Sequence, residues 1–91
     1  MVGLIVFRAD SCPHCRAMDK AGVLKELKRL RPDLKVVVED LSKGLTELAE
    51  TLNVRVIPLF VLLDGRGEVL KRSTGSKTAT DLSRWAVEPT T

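Results

Sequence analysis

The chain opens on a nearly continuous apolar run, residues 3–7, which ends at Arg8. An apolar run without polar alternation is typical of a strand covered on both faces, so we predict a central β-strand over residues 3–8. From residue 13 to about residue 31 the apolar positions instead recur at helical spacing. This segment predicts one amphipathic helix that Pro32 ends, and Gly22 weakens it by about 1 kcal/mol relative to alanine.

The next segments repeat this alternation of strand and helix. Residues 34–39 include three consecutive valines, whose β-branched side chains favour a second strand. Because a helix connects it to the first strand, the two strands should be parallel. Residues 43–52 place leucines on one face of a second helix, with Ser42 as its N-terminal cap and Asn53 at its end.

The last third of the chain predicts a hairpin and a final helix. Residues 59–63 and 68–72 are strand-like and flank the turn 64–67. Thr78 and Asp81 have capping-box spacing ahead of a helix that Pro89 ends. The order of elements is therefore βαβαββα. We expect one α/β domain spanning residues 1–91, which buries roughly 60% of its unfolded surface or more.

Composition and charge narrow the function classes. The net charge of +3 is spread along the chain and is densest over residues 25–35, which we interpret as a solvated helix face. With two Phe, one Trp and no Tyr, the chain lacks aromatic platforms for single-stranded nucleic acid. The N-terminal apolar run is far shorter than the roughly 20 residues that span a bilayer, and no charged signal segment precedes it. We expect no nucleic-acid partner and no membrane association.

The most informative motif is Cys12-Pro13-His14-Cys15, which holds both cysteines and falls between the first strand and the first helix. The unpaired N–H groups and positive dipole end of a helix N-terminus favour an anion, here the Cys12 thiolate. Pro13 suits the first helical position, because its missing N–H costs nothing there. The pattern favours dithiol redox chemistry, as a C-x-x-C pair beside a βαβ pattern does in a cytosolic protein.

Three other interpretations of the two cysteines stay open. A structural disulfide that closes so short a loop would contribute only about 2 kcal/mol to stability. A zinc site usually takes four Cys or His ligands, and His14 lies inside the pair where its geometry is awkward, so zinc would require a second subunit. The third interpretation is a pair of buried, unreactive thiols.

The order of elements, the motif after the first strand and the run Val-Arg-Val-Ile-Pro at residues 54–58 together resemble the thioredoxin superfamily. The resemblance is to its minimal, glutaredoxin-like form and spans almost the whole chain. It implies a βαβαββα fold with a four-stranded mixed sheet and helices on both faces. The Cys-Pro-His-Cys motif is itself similar to that of the oxidising DsbA family.

The resemblance implies roles for the four residues of the motif. Cys12 stands at the family's nucleophilic position and should attack a substrate disulfide as its thiolate. Cys15 should then resolve the mixed disulfide. We expect Cys12 to face solvent at the helix start and Cys15, one turn further in, to be shielded. Pro13 and His14 lie between them and are expected to modulate the reactivity of the pair.

The resemblance also implies a substrate groove. In thioredoxin-like proteins the proline that matches Pro58 is cis and faces the active-site cysteines. The residue before it, here Ile57, offers its backbone to an extended substrate segment. Gly75 matches a glycine that borders the same groove.

Several positions depart from the family pattern. Val6 stands where thioredoxins carry the buried aspartate that takes a proton from the resolving cysteine, and Val36 stands where its partner lysine would be. Ser11 replaces a tryptophan before the first cysteine, and Leu59 replaces a threonine after the proline. The glycine pair of glutaredoxins is reduced to Gly-Ser at residues 75–76, which puts the use of glutathione in doubt.

These observations predict a thiol-disulfide oxidoreductase that acts on protein disulfides and needs no cofactor or metal. A soft-metal module that presents the two thiolates to Cu(I) or Zn(II) is the alternative. Copper carriers of the C-x-x-C type have a different order, βαββαβ. The expected partners are disulfide-containing proteins and a recycling agent, either a thioredoxin reductase-like enzyme or a small thiol. We expect a monomer in the cytoplasm.

Overall fold

A computed structural model describes residues 2–89, so residues 1, 90 and 91 of the predicted domain lie outside the described part. The strands are β1 Gly3–Arg8, β2 Lys35–Asp40, β3 Leu59–Leu63 and β4 Val69–Thr74. The helices are α1 Pro13–Lys20, α2 Val23–Leu30, α3 Glu47–Thr51 and α4 Ala79–Trp85. One sheet has the order β2-β1-β3-β4; β1 is parallel to β2 and antiparallel to β3, and β3 is antiparallel to β4. The predicted four-stranded mixed sheet is confirmed.

The two central strands bury both of their faces, as the apolar runs predict. Successive side chains of a strand point to opposite sides of the sheet, so β1 and β3 each contribute to two cores. On one side they pack against apolar residues of α1, α2 and α4. On the other side they pack against α3 and the segment that follows it. Within residues 2–89 no helix is long and apolar enough to cross a membrane.

The sheet register brings three separate segments of the chain to one edge. Phe7, near the end of β1, is paired with Leu59 at the start of β3. Leu59 is in turn paired with Thr74 at the end of β4. The loop after β1, the segment before β3 and the turn after β4 therefore meet. These are the segments that carry the C-x-x-C motif, Ile57-Pro58 and Gly75.

The prediction of one helix over residues 13–31 is wrong, because the structure has two helices there. α1 ends at Lys20 and α2 begins at Val23, and Gly22 between them has φ 67° and ψ 32°, in the left-handed region. Glycine adopts this conformation without the steric cost that a Cβ atom brings. Val23 and Met18 still reach the same core, so the helical spacing of apolar residues continues across the break.

The helix predicted over residues 43–52 is shorter in the structure, and its predicted cap is wrong. Gly44 has φ 118°, outside the helical region, and the N-cap is Thr46, whose hydroxyl accepts a backbone N–H three residues on at 3.2 Å. Ser42 is engaged elsewhere. Its hydroxyl accepts a hydrogen bond from the N–H of Asp10 at 2.8 Å and donates to Asp40 at 2.5 Å. Ser42 therefore links the loop after β2 to the loop that precedes the motif.

The C-terminal prediction holds with small shifts. The Thr78 hydroxyl accepts the N–H of Asp81 at 3.1 Å, so the predicted cap of α4 is confirmed. The helix ends at Trp85, ahead of Pro89. The last strand starts and ends slightly later than the predicted 68–72, at Val69–Thr74.

The break between α1 and α2 is testable at Gly22. Gly22→Ala should lower the free energy of unfolding by about 1 kcal/mol, because an L-residue in the left-handed region crowds its own backbone. Nothing lies within 4 Å of the added Cβ, so the cost would be purely conformational. Gly22→Asn is the matched control and should cost less, since asparagine tolerates this region better. Denaturant unfolding measures both; a stabilised Gly22→Ala would mean that a continuous helix is accessible.

Candidate active site

The first helix begins at the C-x-x-C motif, and Cys12 is its N-cap. Cys12 has an extended backbone, and its Sγ accepts a hydrogen bond from the backbone N–H of Cys15 at 3.2 Å. Pro13 occupies the first helical position, as predicted. Both cysteines are free thiols. The Cys12 sulfur therefore accepts one backbone N–H and lies at the positive end of the helix dipole.

The expectation that Cys12 faces solvent is wrong, although Cys12 is the more accessible of the two cysteines. The exposed fraction is 8% for Cys12 and 2% for Cys15. The segment before β3 accounts for the difference from expectation, because it covers the motif. The Sγ of Cys12 lies 3.7 Å from the carbonyl oxygen of Ile57 and donates a weak hydrogen bond to it. His14 and Pro13 are exposed.

The segments predicted to form the substrate groove do meet at the motif. The Ile57-Pro58 peptide bond is cis, and the side chain of Pro58 is fully buried beside Cys15. The N–H of Gly75 donates to the carbonyl oxygen of Pro58 at 3.1 Å, and Gly75 has φ 92°, which favours glycine. The backbone of Ile57, the ring of Pro58 and Gly75 thus form one side of the site. Their role in substrate binding stays a prediction.

Cys15 lies against a small cavity of about 10 Å³. Val6 lines this cavity, so the position at which thioredoxins carry a buried aspartate holds no ionisable group here. The other lining residues are Arg8, Met18, Asp19, Leu24 and Pro58.

Burial raises the pKa of the Cys15 thiol to about 11, and the hydrogen bond with Cys12 adds to the rise. A hydrogen bond with the backbone of Ala9 opposes the rise in this pKa, and the positive charge of Arg8 opposes it more weakly.

Arg8 is the charged residue that sequence analysis missed. It ends β1, and its guanidinium forms ion pairs with Asp10, Asp19 and Asp40. A partial signal was available, because parallel pairing of β1 and β2 places Arg8 beside Asp40. Nothing in the spacing along the chain indicated that Asp19, on α1, would reach the same guanidinium.

A cleft of about 450 Å³ does not include the cysteines in its lining. It is lined by Arg55, Val56 and Arg72, among others. Cys15 instead lines the small cavity that Arg8 and Pro58 also line. Among the described residues, no group of three or more His, Cys, Asp or Glu side chains is arranged to hold a metal ion.

A dithiol that caps a helix at the edge of a four-stranded mixed sheet, facing a cis-proline, defines a C-x-x-C protein of the thioredoxin fold. The family model described as thioredoxin matches residues 2–88. The chain therefore belongs to the thioredoxin family, whose general activity is thiol-disulfide exchange.

Solved structures of thioredoxins share the fold of this chain. Mitochondrial thioredoxin 3 of Saccharomyces cerevisiae, in its oxidised form, is 26% identical with a TM-score of 0.78, over 93% of this chain and 76% of that one. Fasciola hepatica thioredoxin is 22% identical with a TM-score of 0.78, over 93% and 77%. Thioredoxin-2 of a malaria parasite is 22% identical with a TM-score of 0.80, over 93% and 80%. No curated protein sequence matches the chain.

The raised pKa of Cys15 predicts alkaline instability of the reduced protein. An unfolded cysteine ionises near pH 8.5, roughly, whereas folded Cys15 keeps its proton until about pH 11. Between these values the folded state binds more protons than the unfolded state, so the free energy of unfolding falls as pH rises. The loss attributable to Cys15 is of the order of 3 kcal/mol.

Urea unfolding of the reduced protein across this pH range tests the effect, with Cys15→Ala as the control. The control should lack the part of the pH dependence that comes from Cys15. Identical pH profiles for the two proteins would show that Cys15 ionises normally in the folded state.

Proposed function

We propose that this protein is a thiol-disulfide oxidoreductase that exchanges its Cys12–Cys15 dithiol with disulfides of other proteins. The observation that carries the proposal is the hydrogen bond from the Cys15 N–H to the Cys12 sulfur at the start of α1. It places one sulfur where a thiolate is favoured and the second sulfur one helical turn away. Family membership supports the same general chemistry.

The exchange takes place in two steps. The Cys12 thiolate attacks one sulfur of a substrate disulfide, forming a Cys12–substrate disulfide and releasing the other substrate sulfur as a thiolate. Cys15 then loses its proton to solvent, its sulfur bonds to that of Cys12, and the Cys12–substrate bond breaks. The substrate sulfur leaves with the electron pair. The protein ends as a disulfide, and the substrate has gained two electrons.

Ile57, Pro58 and Gly75 are proposed to hold the substrate. The carbonyl of Ile57 lies beside the Cys12 sulfur, so an extended peptide bound to the backbone of this residue would bring its own disulfide to Cys12. The N–H of Gly75 donates to the carbonyl oxygen of Pro58, which ties these two parts of the same wall together.

The proposal includes a recycling step and a compartment. Two electrons return to the protein from a reductase-like enzyme or a small thiol. We place the protein in the cytoplasm as a monomer, where a couple near the DsbA potential of roughly −120 mV would stay almost wholly reduced. An intermediate potential of about −200 mV suits exchange in both directions better.

Trapping a substrate tests the proposed roles of the two cysteines. Cys15→Ser should accumulate a mixed disulfide on Cys12 with oxidised insulin or another disulfide-containing model protein, because attack survives and resolution is lost. Cys12→Ser, the matched change at the other sulfur, should abolish dithiothreitol-driven insulin reduction and trap no adduct. Mass spectrometry of the alkylated adducts gives the site. Equal labelling of both thiols by a bulky alkylating agent, without any adduct, would contradict the roles.

The dipeptide between the cysteines is proposed to set the redox potential. Changing Pro13→Gly and His14→Pro together gives the Gly-Pro dipeptide of thioredoxins, and the potential should fall towards thioredoxin's roughly −270 mV. The helix N-terminus is common to the whole fold, so it cannot account for such a difference. Equilibration of both proteins in the same thiol-disulfide buffers measures it. A potential within about 10 mV of the parent would show that the dipeptide is not the control.

A further inference from the structure

Arg8 is held from three directions next to the resolving cysteine. Its guanidinium lies 2.8 Å from Asp10, 2.8 Å from Asp19 and 3.3 Å from Asp40. The three aspartates come from the loop after β1, from α1 and from the end of β2. Ion pairs from three separate segments fix the guanidinium in one place.

The positive charge is the buried part of this cluster. The Arg8 side chain is 14% exposed, whereas those of Asp10, Asp19 and Asp40 are 76%, 47% and 53% exposed. Water screens exposed charges more effectively than buried ones. Although the aspartates outnumber Arg8, the charge that acts most strongly on the interior is therefore the positive one.

Arg8 faces the same small cavity as Cys15. Val6, Met18, Leu24 and Pro58 contribute apolar walls. Of the groups that line the cavity, Arg8 and Asp19 are charged, and Cys12 is the other titratable group in contact with Cys15. Asp10 and Asp40 reach this region through their ion pairs with Arg8.

One donor of Arg8 is unused. Among the described residues, the buried Nε atom of Arg8 has no hydrogen-bond partner. Leaving a buried donor unsatisfied costs about 1–3 kcal/mol, so the burial of this atom requires an explanation. A purely structural ion-pair cluster on the surface does not require this burial.

We propose that Arg8 is a positioning residue for the resolving step, and that its fixed guanidinium stabilises the Cys15 thiolate as Cys15 attacks the mixed disulfide on Cys12. The inference rests on the proposed function. The Cys15 proton goes to solvent, the Cys15–Cys12 bond forms, and the Cys12–substrate bond breaks with its electron pair on the substrate sulfur. A buried cation thus assists a thiol whose cavity holds Val6 where thioredoxins have a carboxylate.

The resolving step is measured directly with an aromatic disulfide reagent in stopped flow. The reduced protein releases one coloured thiolate when Cys12 attacks and a second when Cys15 resolves the adduct, so the second phase reports Cys15. Arg8→Gln removes the charge and keeps a polar side chain. An opposite charge nearby lowers the pKa of a thiol, and its loss raises that pKa by up to about one unit here. Because nucleophilicity rises partly with pKa, the second phase at neutral pH should slow about threefold.

Three further variants separate charge from structure. Arg8→Lys keeps the charge and should restore most of the rate. Arg8→Met removes the charge but keeps the apolar bulk of the side chain, and it should slow the second phase about as much as Arg8→Gln does. Arg31→Gln is the matched control, because Arg31 is similarly buried and paired with Asp33 but lies on the α2–α4 side of the fold. It should leave the second phase unchanged.

Whether Arg8→Gln slows or speeds the second phase distinguishes an electrostatic role of Arg8 from a role in packing alone. If Arg8 only maintained packing, Arg8→Gln would admit water to Cys15, favour its thiolate and speed the second phase. An unchanged or faster second phase in Arg8→Gln overturns the inference while the proposed function stands. If Arg8→Gln does not fold, Arg8→Met decides by the same criterion. If the parent releases only one thiolate, the proposed function itself fails and the inference falls with it.

Discussion

The hydrogen bond from the Cys15 N–H to the Cys12 sulfur is the interaction on which the site depends. It makes a cysteine the N-cap of α1, so the helix starts where the chemistry is needed. The same bond fixes the two sulfurs one turn apart and leaves Cys12 the more accessible of the pair. The same four consecutive residues, 12–15, therefore start the helix and hold the two sulfur atoms.

Burial of Cys15 creates the second constraint. An apolar cavity raises the pKa of its thiol, which protects the reduced form but slows the step that requires a thiolate. Thioredoxins meet this constraint with a buried carboxylate, and here Val6 occupies that position. Arg8 lies at the end of the same strand and lines the same cavity. In our proposal its positive charge, rather than a carboxylate, assists the reaction of Cys15.

Much of the fold was predictable because it follows from local rules. The covered strand β1, the parallel strand β2 and the Thr78 cap follow directly from apolar runs, β-branching and capping chemistry. The break at Gly22 was not predictable, because the helical spacing of apolar residues continues across it. Only the backbone conformation changes there, to the left-handed region. The prediction that Ser42 caps the second helix was wrong because its hydroxyl forms hydrogen bonds with Asp10 and Asp40. The bond with Asp10 joins segments that are distant in the sequence.

The residues of the site also differ in how far the sequence predicts them. Cys12 and Cys15 are visible as a motif, whereas Ile57, Pro58 and Gly75 depended on the resemblance, since no spacing rule places them near the cysteines. The sheet register explains why they meet. The burial of Cys12 and the ion pairs of Arg8 were missed because both arise from segments that join only in the folded chain.

The central claim is that the two cysteines form a reversible, intramolecular two-electron couple. The most direct test equilibrates the protein in a graded series of thiol-disulfide buffers, quenches with an alkylating agent and measures mass. The account predicts one transition between a doubly alkylated protein and an unalkylated monomer that carries the Cys12–Cys15 disulfide. A protein that stays doubly alkylated at every buffer ratio, or that oxidises only to mixed disulfides and disulfide-linked dimers, would contradict it.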